Sequence, residues 1–120
     1  MTVTYTEDDA TRVAELRVQG TFTKEDYARA VDPLKAFIDR HGSVKQIEIV
    51  ESFHGVDPAA LWPGIKFDWH NIQHISHVAA VTDIGWIGPM SKAAGKLISS
   101  DVRLFALDEL DEARDWIGNV

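Results

Sequence analysis

His77-Val-Ala-Ala-Val-Thr-Asp83, continued by Ile84-Gly-Trp-Ile-Gly88, is the stretch that decides the fold. Val78 to Val81 is a run of small apolar residues without polar alternation, bounded by His77 and Thr82-Asp83, and it predicts a short central strand covered on both faces. Such a strand needs helical cover, and the flanking sequence supplies it. Downstream, the Gly- and Trp-containing turn leads to Pro89 and a helix expected to face inward with Met90, Ala93, Ala94, Leu97 and Ile98. Val102 to Leu107 reads as the last strand. Asp108 with Asp111 then caps a final helix whose inward stripe is Leu110, Ala113, Trp116 and Ile117.

Upstream, Val44 to Glu51 predicts a strand with Ile47 and Ile49 on one face and Val50 on the other. Asp57-Pro58 is a helix start, and Pro63-Gly64 divides the region into a short turn of helix and a second helix with the stripe Trp62, Ile65, Trp69 and Ile72. Near the start, Val3 and Tyr5 alternate with threonines, Glu7 to Thr11 is a turn, and Ala14, Leu16 and Val18 alternate with polar residues. That pattern is an antiparallel hairpin with one wet face. Thr23 with Asp26 forms a variant capping box for a helix with Tyr27, Val31, Leu34, Phe37 and Ile38 inward, stopped by His41-Gly42. Pro33 lies inside it and predicts a kink or break near Val31-Asp32. The resulting order, ββαβαβαβα, implies an α/β domain spanning residues 1–120, with a mixed sheet of about five strands and four main helices. Its later strands are parallel, joined by right-handed crossovers.

Composition bounds the partners. The 120 residues carry 12 Lys and Arg against 19 Asp and Glu, a net charge of −7, with no Lys/Arg cluster, which argues against nucleic acid and against anionic membrane surfaces. There is no cysteine, so disulfides, thiolate metal sites and a Cys nucleophile are excluded. The first residues show no basic segment followed by an apolar stretch, and no apolar run approaches the roughly 20 residues of a membrane span. A cytoplasmic location without a stable membrane anchor is the expectation. The charge is uneven: residues 1–40 hold eight acids and six bases, 41–100 five and four, and 101–120 six and two. All five His and three of the four Trp fall in the near-neutral middle, where ligand contact is expected.

His77-Val-Ala-Ala-Val-Thr-Asp83 with Trp86, Asp101-Val-Arg-Leu-Phe105 and Glu112-Ala-Arg-Asp-Trp116-Ile117 together resemble the bacterial SpoIIAA-like family of small STAS-type domains. The order of elements agrees over nearly the whole chain. The resemblance implies an α/β sandwich of the STAS kind and a role in binding a small apolar or lipid-like molecule, or a protein, rather than catalysis. The Asp-Ser-Ser-Gly phosphorylation motif of the anti-sigma factor antagonists has no counterpart here. Ser52 stands in Glu51-Ser-Phe-His-Gly55, so the phospho-switch does not transfer.

Parallel sheets bind ligands beyond the carboxyl ends of their strands. Two such ends are marked, one by Ser52, Phe53 and His54, the other by Thr82, Asp83 and Trp86, with Met90 one helical turn on. With Trp62 and Trp69 as further walls, these nine residues are the candidate ligand contacts, suited to an amphiphile with one polar head. The plainer reading has Asp83 capping the next helix and Trp86 covering the core. A protein-interaction module using the same helix faces is the alternative. A Ser52-His54-Asp83 hydrolase is least supported, for want of a nucleophile elbow and an oxyanion hole. His70 and His74, four apart and with His77 next along the chain, resemble a metal site by count only, and surface histidines are the simpler reading, so no cofactor or metal is expected. The tryptophans of so small a domain point to a homodimer.

Overall fold

The computed structural model describes residues 3–56, 74–98 and 100–120. Alternating β-branched and polar residues make β1 (Val3–Asp8) and β2 (Val13–Val18) an antiparallel hairpin, with Val3 opposite Val18 and Asp8 opposite Val13. Arg12 closes its turn at φ 58°, a conformation few side chains adopt, and its carbonyl accepts from the Lys45 N–H at 2.8 Å. The turn is thereby docked onto β4 (Val44–Val50). β2 pairs with β4, β4 with β6 (Ile75–Thr82) and β6 with β7 (Asp101–Phe105), all parallel. The order β1-β2-β4-β6-β7 is the mixed five-stranded sheet expected from the sequence.

A second, two-stranded parallel sheet, β3 (Thr21–Phe22) with β5 (Gly55–Val56), is not foreshadowed by any sequence pattern. Two residues carry no period. It forms because β2 and β4 stay zipped past their ends: Glu51 N–H donates to Val18 O at 3.0 Å, Gly20 N–H to Ser52 O at 3.1 Å and His54 N–H to Gly20 O at 3.0 Å. Gly20, at φ 82°, supplies the bend.

α1 (Lys24–His41) starts with the anticipated capping box. Thr23 Oγ1 accepts from Asp26 N–H at 3.2 Å, and Asp26 Oδ2 accepts from Thr23 N–H at 3.0 Å. Of the kink or break expected near Val31-Asp32, the break does not occur, and one helix runs through Pro33 to His41. Proline costs about 3 kcal/mol in a helix interior, whereas burying a Leu, Ile or Phe side chain contributes about 1.5–3 kcal/mol. Leu34, Phe37 and Ile38 all lie beyond the proline and are buried, so continuation wins. Gly42, at φ 78°, ends the helix with its N–H on Ile38 O at 2.7 Å.

The sheet has two apolar faces. Leu34, Phe37 and Ile38 of α1 cover Ala14, Val44 and Val78 on one. Ala113 and Ile117 of α3 (Leu110–Gly118) cover Ile47, Ile49, Ala79, Val81 and Phe105 on the other, with Leu110 and Trp116 at the border, which is the stripe expected from the sequence. α2 (Ile87–Ile98) starts two residues before Pro89 and packs Ile87 and Gly88 inward. Ala93, expected inward, is exposed, because it lies six and five positions beyond those two, about 120–140° round the helix from them. β7 stops at Phe105, short of the expected Leu107, and one 3-10 turn (Leu107–Glu109) precedes α3. Its cap is not Asp108. Glu109 Oε1 accepts from Ala106 N–H at 2.7 Å, a reach that needs the carboxylate three residues on. The helical pieces expected from Asp57-Pro58 to Ile72 lie outside the described residues.

Ile117 is 1% exposed at the centre of the α3 face, so Ile117→Ala should cost about 2–5 kcal/mol in urea denaturation. A second test concerns the hairpin. Arg40 donates to Asp9 at 3.0 Å and to Glu7 at 2.8 Å, and His41 Nε2 lies 2.7 Å from Asp9 Oδ1. His41 first, then Arg40, hold the Asp9 carboxyl below its ordinary value of 3.8. A depressed carboxyl stabilises the fold above that ordinary value and loses its contribution as pH falls through the folded one. Asp9→Asn should therefore lower the unfolding midpoint at pH 7, and the difference from the parent should shrink as pH drops below 3.8.

Candidate functional site

All four parallel strands present their carboxyl ends on one side of the molecule, and β4, β6 and β7 are adjacent there. Thr82 stitches two of them, donating through Oγ1 to Val50 O at 2.9 Å and accepting from Ile84 N–H at 3.1 Å. Beyond the strands, Phe53 and Trp86 meet edge to face, with ring centroids 5.7 Å apart at 67°. The two rims named from the sequence thus touch. Trp86 nevertheless remains 52% exposed.

Beside it lies a cleft of about 270 Å³ between the ends of β6 and β7, the start of α2 and the 3-10 turn. Its walls are Thr82, Ile84, Gly88, Pro89, Leu104 and Phe105, with the carboxylates Asp83 and Glu109 among the lining residues. Leu104, 39% exposed, is the cleft's apolar wall, and Gly88 keeps it open: a Cβ there would lie 3.1 Å from Leu104 Cδ1. Ala80 also lines the cleft and sits in register between Leu104 of β7 and Glu48 of β4. Residues in register share a sheet face about 4.8 Å apart, so the half-buried Glu48 borders the floor.

Of the candidate residues, Thr82 and Asp83 line the cleft, and Phe53 and Trp86 pack together beside it. Ser52 and His54 are not among the lining residues. Ser52 Oγ accepts from Gly20 N–H at 2.9 Å, and His54 is exposed. Met90 belongs to α2, but its side chain lies outside the described residues, as do Trp62, Trp69 and His70 altogether. Among the described residues no hydrogen bond joins Ser52, His54 and Asp83. Asp83 Oδ1 instead accepts from Leu107 N–H at 3.0 Å, so it caps the turn after β7 rather than α2. Among the described residues no three His, Asp or Glu side chains converge as a metal site. His77 lies 2.9 Å from Ser76 Oγ, and its ring is 6.0 Å from that of Trp116.

Sequence reasoning missed Leu104, Gly88, Pro89, Glu109 and Glu48. The outward alternation of β7 and the polar positions Gln46 and Glu48, alternating with buried Ile47 and Ile49, were the available signals. Neither identifies a cleft until strand order brings the residues together.

Asp83→Ala should remove the acceptor of the Leu107 amide, cost about 0.5–2 kcal/mol in denaturation and abolish hydrogen-exchange protection of that amide. Asp83→Asn, which keeps an acceptor oxygen, should retain most of both.

No helix among the described residues is long and apolar enough to cross a membrane. The architecture has a solved counterpart. An uncharacterised protein from Shewanella loihica PV-4 with a SpoIIAA-like fold superposes with a TM-score of 0.72 over 96% of this chain and 91% of its own, at 15% sequence identity. No curated protein matches the sequence. The SpoIIAA-like family model, however, matches residues 13–118, from the first residue of β2 to the last of α3. On that match, and on the sheet order and two-sided helical cover that accompany it, the chain belongs to the SpoIIAA-like family.

Proposed function

We propose that this domain is a non-catalytic binding module whose cleft at the carboxyl ends of β6 and β7 takes the apolar part of a small amphiphilic molecule. The observation that carries the reading is the coincidence of the cleft with exposed hydrophobic side chains. Trp86 and Leu104 stand at or beside its mouth, where their apolar surface gains from being covered. Membership in the SpoIIAA-like family favours a binding role over catalysis. A volume of about 270 Å³ lies just under the roughly 300–1,000 Å³ of ordinary ligand sites, so a single short alkyl chain or one ring suits it better than a two-chain lipid. Thr82 and Asp83 supply polar contacts, Phe53 props the Trp86 indole, and Ser52 and His54 stand at the neighbouring strand end.

Calorimetric titration with 1-octanol tests this. The parent protein should bind saturably at one site, Trp86→Ala several-fold more weakly, and Gly88→Leu, which pushes a side chain towards Leu104, at least tenfold more weakly. Saturable binding unaffected by either substitution, or no binding at all, overturns the reading. Native mass spectrometry of freshly purified protein reads both a co-purified ligand and the oligomeric state, on which the expected homodimer depends.

A further inference from the structure

We infer that the cleft is selective for amphiphiles with a cationic head, such as alkylammonium ions, and rejects those with a carboxylate or phosphate head. The inference rests on the binding role proposed above and adds the sign of the ligand's charge. The cleft, its exposed wall Leu104 and the exposed Trp86 next along the chain from the lining residue Gly85 make the site, and the charged groups around it decide only which head is tolerated.

Among the described residues the lining includes no Lys, Arg or His, but it includes Asp83 and Glu109, one just after β6 and the other ending the 3-10 turn. Two backbone donors at the cleft that would suit an anionic head are already used. Leu107 N–H is bound to Asp83 and Ala106 N–H to Glu109. Each carboxylate spends one oxygen on that bond, and a carboxylate has acceptor capacity for more.

Two features oppose the inference in principle. The α2 amino terminus at Ile87 carries a partial positive charge of roughly half a unit. That is smaller than the two full negative charges lining the cleft, and Pro89, in the first turn, has no N–H to offer. The nearest guanidinium in sequence, Arg103, is turned to the other face. It stacks 5.2 Å from the Phe105 ring centroid and 5.8 Å from that of Trp116. Trp86 works in the same direction as the acids, because an indole face attracts ammonium groups and not carboxylates.

The test compares octylamine, 1-octanol and octanoate, which share a chain and differ in head, by calorimetry at pH 7 and matched low ionic strength. Octylamine should bind at least tenfold tighter than octanol, and octanoate more weakly than octanol. The amine's advantage should narrow as salt is added. In Asp83→Asn combined with Glu109→Gln, which keeps both acceptor oxygens and removes both charges, the amine-to-octanol ratio should fall below threefold. Octanol binding without any preference for the amine, or a preference that survives the double substitution, overturns the charge selection and leaves the cleft standing. Failure of all three probes to bind overturns both readings.

Discussion

Ala79, Ala80 and Val81 are covered from both sides of the sheet at once, and the rest of the structure is arranged around that cover. Small side chains at these positions let α3 approach one face closely through Ala113 and Ile117, while Ala80 leaves room on the other beneath the start of α2. A strand buried on two faces must pair on two edges, and β4 and β7 provide the pairs. The parallel direction of those pairs has the described crossover helices, α1 and α2, return over the sheet. All four carboxyl ends therefore gather on one side, and the loops leaving them make a place where strand, helix and turn residues meet around open space.

Carboxylates organise that end more than they charge it. Asp83 and Glu109 hold consecutive backbone amides, Leu107 and Ala106, and so shape the turn that carries β7 into α3. The same two side chains face the cleft. A capping role and a ligand-contact role are compatible, because one oxygen can serve each. Elsewhere the acids do structural work at greater distance: Glu51 joins Arg17 and Gln19 beside the β2 end, and Glu7 and Asp9 join the hairpin to Arg40 at the end of α1.

Much of the fold was legible because its signals are local. The Thr23–Asp26 capping box, the Gly42 stop, the hairpin alternation and the α3 stripe each depend on residues within a turn or two of one another. The errors have a common physical origin, since each required knowledge of a distant partner. Pro33 is tolerated because Leu34, Phe37 and Ile38 are buried against strands, which no helix propensity includes. Ala93 points outward because the sheet takes α2 from Ile87, and β3 and β5 exist only because β2 and β4 remain joined beyond their ends. The near-neutral segment 41–100 supplies most of the cleft's lining, and Leu104, Phe105, Ala106 and Glu109 complete it.

By itself, then, the sequence determined the hairpin, α1, the parallel centre at Val78 to Val81, the last strand and α3, and it named Thr82 and Asp83, two residues that line the cleft. Periodicity and capping are short-range, and these features are written in them. Tertiary structure alone decided that Asp83 caps Leu107 across 24 positions, that Phe53 props Trp86, and that Leu104 and Gly88 define the cleft's width. Those facts arise from which strands lie side by side. Adjacency in a sheet is set by the sum of burial over all its strands, and no single segment carries it.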